Sequence, residues 1–246
     1  SLLWLRTITT HQYKYGNGMF NTMKILYNDG GLFRFYRGYL QSIFVASSCK
    51  SFDMIGYYSV KQLNLPIYQE SLYISLISSV GRVIVSPFDT WDIFLQTYGK
   101  KGTNLLKNKI KNNGINILYN GSSLWVTSHM ISTFVWFNVY KNINNKYENK
   151  YNDNIFLKNT KNGIIGFISC TFSDIITNPL RILKVYKQGN NNNITYINSL
   201  KNIINESGYK DLLFRGLTTR ILTHGLQSAF FVIIWKNLEE YFHIEN

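Results

Sequence analysis

The sequence predicts an all-α membrane protein, built as a six-helix bundle of three similar units. Three observations support this prediction. Long charge-poor segments alternate with Lys- and Asn-rich blocks, aromatic residues are abundant, and a pattern of proline, glycine and aromatic residues recurs along the chain. Repetition of one helical unit around a polar interior accounts for all three features.

The composition narrows the possible functions before any motif is considered. Among 246 residues, 26 Lys and Arg stand against 13 Asp and Glu, which gives a formal net charge of +13. Charged residues make up 16% of the chain, below the roughly 25% of soluble domains. A basic, charge-poor and aromatic-rich chain is unusual for a soluble enzyme or a disordered tail. It favours a membrane protein with basic loops or a nucleic-acid binder.

Five charge-poor segments remain when the Lys- and Asn-rich blocks are set aside. They are residues 39–60, 71–91, 122–140, 163–180 and 221–235. Each approaches the ~20 residues that cross a bilayer as a helix. Each also carries Ser, Thr, Gly or an occasional charge, so one side of every helix should face protein or water rather than lipid. A soluble all-α protein is the weaker alternative, because it needs five nearly uncharged long helices in one small domain.

Catalytic and metal-binding patterns are absent from the sequence. It contains no Cys/His ligand spacing, dinucleotide-binding loop, phosphate-binding loop or Ser/His/Asp arrangement. Cys49 and Cys170 lie far apart in apolar stretches, so we expect two buried thiols rather than a disulfide. We therefore expect no catalytic residue, no metal site and no cofactor, in a protein that is not an enzyme.

An internal repeat organises the chain. Three segments end in an aromatic residue, one further residue and Gly, and a polar-Gly pair precedes each final Gly by seven or eight residues. Pro87 and Pro179 each open a second element that reaches Gln nine residues later, and equal spacing places a worn copy at Ser1. The predicted repeats are residues 1–65 (partial), 66–150 and 151–246. The first repeat lacks the N-terminal side of its first helix.

This arrangement resembles the mitochondrial carrier family. The family signature is Pro-x-Asp/Glu-x-x-Lys/Arg followed by an aromatic-Lys/Arg-Gly box, repeated three times, and the three copies here span essentially the whole chain. The resemblance implies a pseudo-threefold six-helix bundle with amphipathic matrix helices, multi-pass in the mitochondrial inner membrane. It also implies transmembrane transport of a small charged or zwitterionic metabolite by alternating access to a central cavity.

Other functions stay open. The alternative is a carrier-fold membrane adaptor or scaffold that does not transport, which the departures from the signature favour. A membrane enzyme is more distant. Nucleic-acid binding explains the basic blocks less well than loops between membrane spans do, so we expect no nucleic-acid partner.

The resemblance implies a matrix gate made of ion pairs between neighbouring repeats. The aligned residues are Arg6, Asp89, Asp92, Gln96, Arg181, Lys184 and Gln188, with Leu3 and Thr10 as substitutions. Only Asp89–Lys184 keeps the family pairing, and Arg181 faces Arg6 unless Asp92 intervenes. Because a close charge pair is worth about 4 kcal/mol at an effective dielectric near 20, before desolvation, losing two of three pairs should weaken this gate.

The resemblance places a cytoplasmic gate at the ends of the even-numbered helices. The aligned residues are Tyr57, Tyr58, Lys61, Tyr140, Lys141, Asn144, Trp235, Lys236 and Glu239. No salt bridge of the family type remains among them. The candidate contacts are two hydrogen bonds, Glu239–Tyr58 and Asn144–Lys236, and a repulsion between Lys61 and Lys141. Solvated lysines at helix ends are the alternative interpretation.

The family's substrate contacts on the even-numbered helices correspond here to Val45, Ala46, Ser128, His129, Thr223 and His224. A histidine recurs at the same offset in two repeats. Since imidazole can hydrogen-bond or accept a proton near neutral pH, proton-coupled movement is one possibility. The alternative is a pair of histidines that hydrogen-bond between helices.

Charged residues inside the spans are further candidates for the cavity. Arg82 and Asp174 each lie five residues before a repeat proline, and an isolated charge in mid-bilayer costs at least ~2.5–3.5 kcal/mol. They either bind the two ends of a zwitterion or replace a lost gate pair, and we favour the second. Lys50 and Asp53 pose the same choice. Arg220 matches an arginine common in the family, with cavity charge as its expected role and helix packing as the alternative.

The aromatic-x-Gly boxes have a physical use, because glycine permits a tight turn and the free amides of the following helix bind anions. The resemblance implies cardiolipin phosphate as the lipid bound there. The donors would be Arg37, Gly38, Gly121, Arg215 and Gly216, with a weaker middle site. Helix-capping glycines are the alternative. We expect a monomer whose partners are this lipid and a small-molecule substrate.

Overall fold

The computed structural model describes residues 2–63, 65–147, 155–190 and 194–242. These residues form helices and no strand. The helices are α1 (Leu3–Tyr15), α2 (Met19–Arg34), α3 (Tyr39–Lys61), α4 (Ile67–Tyr98), α5 (Gly102–Asn113), α6 (Ser122–Tyr147), α7 (Ile155–Gly189), α8 (Tyr196–Phe214) and α9 (Leu217–Tyr241). Ser1 and the predicted boundary between the second and third repeats, at residues 150 and 151, lie outside the described residues.

The two longest helices, α4 and α7, contain the repeat prolines. They have 32 and 35 residues, or about 48 and 52 Å at 1.5 Å per residue. This exceeds the ~30 Å hydrocarbon thickness of a bilayer. Pro87 and Pro179 both lie inside the helices, toward their C-terminal ends.

The long helices pack in a circuit. Helix α3 packs on α4, α4 on α6, α6 on α7, and α7 on α9, while α1 contacts α4, α7 and α9. At one end of the bundle the ring of Tyr57 on α3 lies 4.8 Å from the ring of Trp235 on α9, measured between centroids. The helices therefore surround a common interior.

Helix α4 buries small polar side chains and exposes large aliphatic ones. Its side chains at Ser71, Ser75 and Ser78 are fully buried. By contrast, Val80 and Ile84 each expose 62% of their surface. A helix that buries serine and exposes aliphatic side chains suits a lipid exterior and a polar interior. This pattern disfavours the soluble all-α alternative.

Three helical stretches of the described chain are long and apolar enough to cross a membrane: residues 67–113, 155–189 and 196–239. The sequence predicted five such segments, and the two on α3 and α6 are not among these three. Polar and charged residues, such as Lys50 and Asp53 on α3, lower the mean hydropathy of both helices. Helices α3 and α6 can therefore span a membrane only if their polar and charged side chains face the interior of the bundle.

Shorter segments connect the long helices. Helix α2 lies between α1 and α3, α5 between α4 and α6, and α8 between α7 and α9. The first and last are interrupted by glycines with left-handed backbone, Gly31 (φ +63°) and Gly208 (φ +80°). These positions match the predicted amphipathic stretches.

The box glycines make the turns that start α3, α6 and α9. Gly38, Gly121 and Gly216 have φ of +85°, +91° and +64°, a conformation that side chains rarely adopt. Each also lies against another helix of the bundle. A Cβ atom at Gly121 would lie 2.9 Å from Cγ of Gln188 on α7, closer than carbon atoms pack.

Replacing Gly121 by alanine should therefore destabilise the protein. The left-handed backbone alone costs about 1–2 kcal/mol for a residue with a Cβ, and the contact with Gln188 adds to it. Thermal unfolding in detergent should show a lower midpoint for Gly121→Ala. The control is Gly18→Ala, since Gly18 has φ −62° and nothing within 4 Å of its Cβ position. Equal midpoints for the two variants would contradict this account of the turn.

Candidate functional site

A cavity of about 310 Å³ lies inside the bundle. Its lining residues come from α1, α3, α4, α6, α7 and α9. The volume is at the lower end of the ~300–1,000 Å³ typical of small-molecule sites. The cavity has two ends: the proline end, where residues 87–96 and 179–188 follow the repeat prolines, and the aromatic end, where Tyr57, Tyr140 and Trp235 lie.

Most of the predicted cavity residues line this space. They are Val45, Ala46, Arg82, His129, Arg220, Thr223 and His224. Two do not line it, Ser128 and Asp174, and both are fully buried. The Ser128 hydroxyl donates to the Trp125 carbonyl oxygen of its own helix, α6, at 3.0 Å. The hydroxyl is therefore used within the helix and does not line the cavity.

Two ion pairs cross the proline end. Lys184 Nζ lies 2.6 Å from Asp89 Oδ2, the pair that the sequence retains. Arg6 Nη2 lies 3.0 Å from Asp92 Oδ2, so Asp92 does intervene between Arg6 and Arg181. Asp89–Lys184 is thus the pair of the family type at this end, as expected. The expected weakening is smaller than two lost pairs, because Arg6 and Asp92, both from basic positions of the motif, pair with each other.

The glutamines brace this layer. Gln96 Nε2 donates to Asp92 Oδ1 at 2.8 Å, and the Thr10 hydroxyl donates to Gln96 Oε1 at 2.6 Å. Gln188 Nε2 donates to the Thr90 hydroxyl at 3.1 Å. Thr10, which replaces a bracing glutamine, thus takes part in the network through its neighbour's amide.

Arg181 has a different environment from the other gate residues. Its Nη2 donates to the Ser132 hydroxyl on α6 at 2.9 Å, and its Nε donates to the Thr177 hydroxyl at 3.1 Å. In the described chain it has no carboxylate within ion-pair distance. The guanidinium lines the cavity with its charge uncompensated by a direct partner.

Aromatic rings close the opposite end. The centroid of Trp235 lies 4.8 Å from that of Tyr57 and 5.7 Å from that of Tyr140. Tyr140 also stacks on Trp136 at 4.9 Å. The predicted aromatic positions from three helices thus meet in one cluster.

Ion pairs surround this cluster, contrary to expectation. Glu239 Oε2 lies 3.0 Å from Lys236 Nζ, and Glu239 Oε1 lies 3.6 Å from Lys61 Nζ on α3. Lys141 pairs with Glu70 at the start of α4. The expected repulsion between Lys61 and Lys141 is therefore wrong, since each lysine has its own carboxylate.

Two other contacts predicted here have different outcomes. Tyr58, expected to bond Glu239, instead accepts a hydrogen bond from Trp235 Nε1 at 3.3 Å. The Asn144–Lys236 contact stays a prediction. Glu239 pairs with lysines instead of Tyr58, because a hydrogen bond between opposite charges is stronger than one between a carboxylate and a neutral phenol.

Arg82 pairs within the bundle rather than with a gate. Its Nη2 lies 2.9 Å from Asp53 Oδ1 on α3 and 3.1 Å from the ring nitrogens of His129 on α6. His129 Nε2 lies 3.2 Å from the same Asp53 oxygen. The idea that Arg82 replaces a lost gate pair with Asp174 is therefore wrong. His129 hydrogen-bonds between helices and also faces the cavity.

Asp174 belongs to a second cluster. Its Oδ1 accepts from Arg220 Nε at 2.9 Å, and His224 Nδ1 lies 3.2 Å from either carboxylate oxygen. Cys170 Sγ lies 3.4 Å from His224 Nδ1. The thiol, carboxylate and imidazole lie within 4.8 Å of one another, a donor set that suits Zn²⁺. The Arg220 guanidinium already neutralises the carboxylate, which opposes a divalent cation at this point.

The sequence did not single out Ser42, Glu70, Trp125 or Ser132. Ser42 donates to Asp92 at 2.8 Å, and the Lys184 ammonium lies 4.0 Å from the Trp125 ring centroid. Trp125 and Ser132 could have been found, because they continue the α6 stripe of His129 at helical spacing. Glu70 could also have been found, because it is an acidic residue in the first turn of α4 and Lys141 lacked a predicted partner.

Comparison with known proteins gives one family match, in the C-terminal part of the chain. Residues 156–246 match the profile described as mitochondrial carrier protein. This match covers 91 of the 246 residues and supports a member of the mitochondrial carrier family. No curated protein sequence matches this carrier. The family match and the apolar helices indicate a membrane protein of mitochondrial type, and the matched family implies a small-molecule substrate.

The box residues of this carrier are only partly free for lipid. Arg37 is half-buried, but Arg215 is 4% exposed. Arg215 donates to Asp211 at 2.6 Å, to the Ser207 hydroxyl at 3.2 Å and to the Tyr13 carbonyl oxygen at 3.3 Å. These bonds argue against a lipid role for Arg215, because its guanidinium is committed to the carrier itself.

Breaking the Asp89–Lys184 pair should destabilise the carrier. Asp89→Asn leaves a buried ammonium without its counter-charge, which costs about 3–5 kcal/mol, so the thermal midpoint in detergent should fall. Lys184→Gln should also lower it, and Asp89→Asn with Lys184→Gln should cost less than the two single changes together. Additive losses across this double-mutant cycle would show that the two side chains do not interact.

The shared role of Glu239 gives a second stability prediction. Glu239→Gln removes one carboxylate from both Lys61 and Lys236, whereas Glu70→Gln removes one from Lys141 alone. The thermal midpoint in detergent should therefore fall further for Glu239→Gln. If Glu70→Gln proved the more damaging change, the assignment of Glu239 as the central acid of the aromatic end would be wrong.

Proposed function

We propose that this carrier moves a small charged or zwitterionic metabolite across the mitochondrial inner membrane by alternating access. The single observation that supports this most is the position of the cavity between two layers of interhelical contacts. Arg6–Asp92 and Lys184–Asp89 join helices on one side of it. Aromatic rings and Glu239 join helices on the other.

Such layers can act as gates because their bonds connect different helices. Opening the proline end separates α4 from α1 and α7, and opening the aromatic end separates α3 from α9. If the layers open in turn, the cavity faces one side of the membrane at a time. In this proposal the proline end faces the matrix and the aromatic end faces the cytoplasmic side.

A pseudo-threefold, six-helix arrangement of three repeats is part of the proposal. It is supported by a cation from each connecting segment that reaches the end of a long helix in another repeat. Arg34 donates to the Thr97 carbonyl oxygen at 2.9 Å, and Lys109 donates to that of Asn190 at 2.6 Å. The third such bond runs from Arg215, which follows α8, to the Tyr13 carbonyl oxygen near the end of α1. Cations at helix C-termini also complement the helix dipole.

The scaffold alternative has lost its main argument. It drew on the apparent loss of gate pairs, and substituted pairs are present at both ends of the cavity. The proposal also keeps cardiolipin as the lipid partner, bound at the amides that follow Gly38, Gly121 and Gly216. A monomer suffices, because one chain encloses the cavity.

The native cysteines provide a test of transport. Cys49 and Cys170 both line the cavity, but Cys170 is buried and Cys49 is half-buried. Purified carrier in liposomes should take up a metabolite that raises its thermal midpoint, since a ligand of the folded state stabilises it. A charged methanethiosulfonate reagent should then block uptake, and the substrate should protect.

Cys49→Ser is the matched control and should keep its uptake in the presence of the reagent. Cys170→Ser should remain sensitive, because it retains the more accessible thiol. If mass spectrometry showed Cys49 fully modified while uptake continued unchanged, the substrate path would not pass through this cavity.

A further inference from the structure

We infer that the transported metabolite is a dianion with oxyanion groups, bound between Arg82 and Arg181 on the α6 side of the cavity. This inference rests on the proposed transport function and names its substrate class. It draws on the charge balance of the cavity, on unpaired donors and on the positions of the two guanidinium groups.

The charge balance of the cavity is positive. Six cationic side chains line it: Arg6, Lys50, Arg82, Arg181, Lys184 and Arg220. Four carboxylates contact these cations: Asp53, Asp89, Asp92 and Asp174. With neutral histidines, six against four leaves an excess of two positive charges in the described part of the site. A ligand with two negative charges neutralises this excess, and a cation increases it.

Arg181 carries one of the two unbalanced charges. Its contacts are the hydroxyls of Ser132 and Thr177, which are neutral acceptors. A guanidinium held in low-dielectric surroundings by hydroxyls alone interacts strongly with an anion that reaches it. The geometry thus provides a charged donor on the cavity wall whose counter-ion is not one of the described side chains.

Arg82 carries the second unbalanced positive charge. Asp53 is shared between Arg82 and Lys50, so one carboxylate faces two cations. In the described residues, Arg82 Nε and Nη1 are buried and have no hydrogen-bond partner. Buried N–H groups normally have acceptors, and this side chain is only 5% exposed and lines the cavity. An oxyanion in the cavity supplies the missing acceptor.

The two arginines approach one face of α6. Arg82 contacts His129, and Arg181 contacts Ser132, which lies three residues further along the helix. Residues at this spacing share a helix face. The Lys184 ammonium lies over Trp125 on the same stripe. Cations from α4 and α7 therefore converge on one strip of α6, as a ligand with two separated or delocalised negative charges requires.

The residue type favours carboxylate or phosphate over other anions. Guanidinium presents a planar fork of donors that matches two oxygens of either group. A cavity of about 310 Å³ suits a small dicarboxylate or inorganic phosphate. Both offer the same chemistry, two negative charges on oxygen atoms, and the experiment below distinguishes them.

The test uses a four-carbon series that differs mainly in charge. Succinate is a dianion, 4-aminobutyrate is a zwitterion and putrescine is a dication, and inorganic phosphate is added as a second oxyanion. The thermal midpoint of the purified carrier should rise with succinate or phosphate and not with putrescine. The oxyanion that raises the midpoint more shows whether the site prefers a dicarboxylate or inorganic phosphate.

Variants locate the site. Arg181→Gln should weaken binding of the stabilising oxyanion by about tenfold or more, because a charge-assisted pair is lost. Lys107→Gln removes the same charge from an exposed position on α5 and should leave binding unchanged. Arg82→Lys keeps a cation near Asp53 but lacks the fork, and should also weaken binding. Wild-type affinity in Arg181→Gln overturns the site assignment.

The outcomes separate this inference from the transport proposal. If putrescine or 4-aminobutyrate stabilises the carrier and enters liposomes while both oxyanions do neither, the dianion inference is wrong and transport stands. If an oxyanion binds through Arg181 but no uptake occurs, the anion-binding site stands, and the transport proposal is wrong together with the statement that the anion is transported. If neither oxyanion raises the midpoint at tens of millimolar, the inference is overturned.

Discussion

The interior of this bundle depends on the need to satisfy buried polar groups without bulk water. A bilayer offers no partner to a buried hydroxyl, amide or charge, so each must find one within the bundle. Helix α4 meets this condition by turning its serines and Arg82 inward, while aliphatic side chains such as Val80 and Ile84 face outward. The interior that results is polar enough to hold a cavity, and the cavity is therefore a consequence of the same constraint that places the helices.

The gates show how the constraint can be met with unusual residues. The family uses an acid from one repeat and a base from the next, and this chain keeps that arrangement only at Asp89–Lys184. Elsewhere the charges are rearranged, as Arg6–Asp92 and Glu239–Lys61 illustrate. A buried charge without a partner is far more costly than an ion pair formed between positions that do not pair in the family. Substitutions that preserve local neutrality can therefore accumulate while the closed layers persist.

The sequence predicted more of the fold than of the contacts. Repeat spacing located the turns at Gly121 and Gly216, because the backbone there requires glycine and glycine is visible in a sequence. The resemblance also assigned His129 and Arg220 to the cavity wall, because their distances from the box glycines match positions that face the cavity in the family. It could not identify Glu70 as the partner of Lys141 or show that Asp174 is fully buried. Those facts depend on the rotation and depth of neighbouring helices, which no local pattern records.

The position of Arg181 links the cavity to the proline end. Arg181 and Lys184 lie three residues apart on α7, and the second pairs with Asp89 across the bundle. An anion bound at Arg181 therefore sits within one helical turn of a gate lysine and competes with Asp89 for its charge. In the transport proposal, binding lowers the free-energy cost of separating α7 from α4, because the anion replaces Asp89 as a counter-charge for Lys184 when the layer opens. A ligand shifts a conformational equilibrium only through such differential contacts. Within the transport proposal, Arg181 at a position that is acidic in the family signature is a point where the bound substrate itself promotes opening.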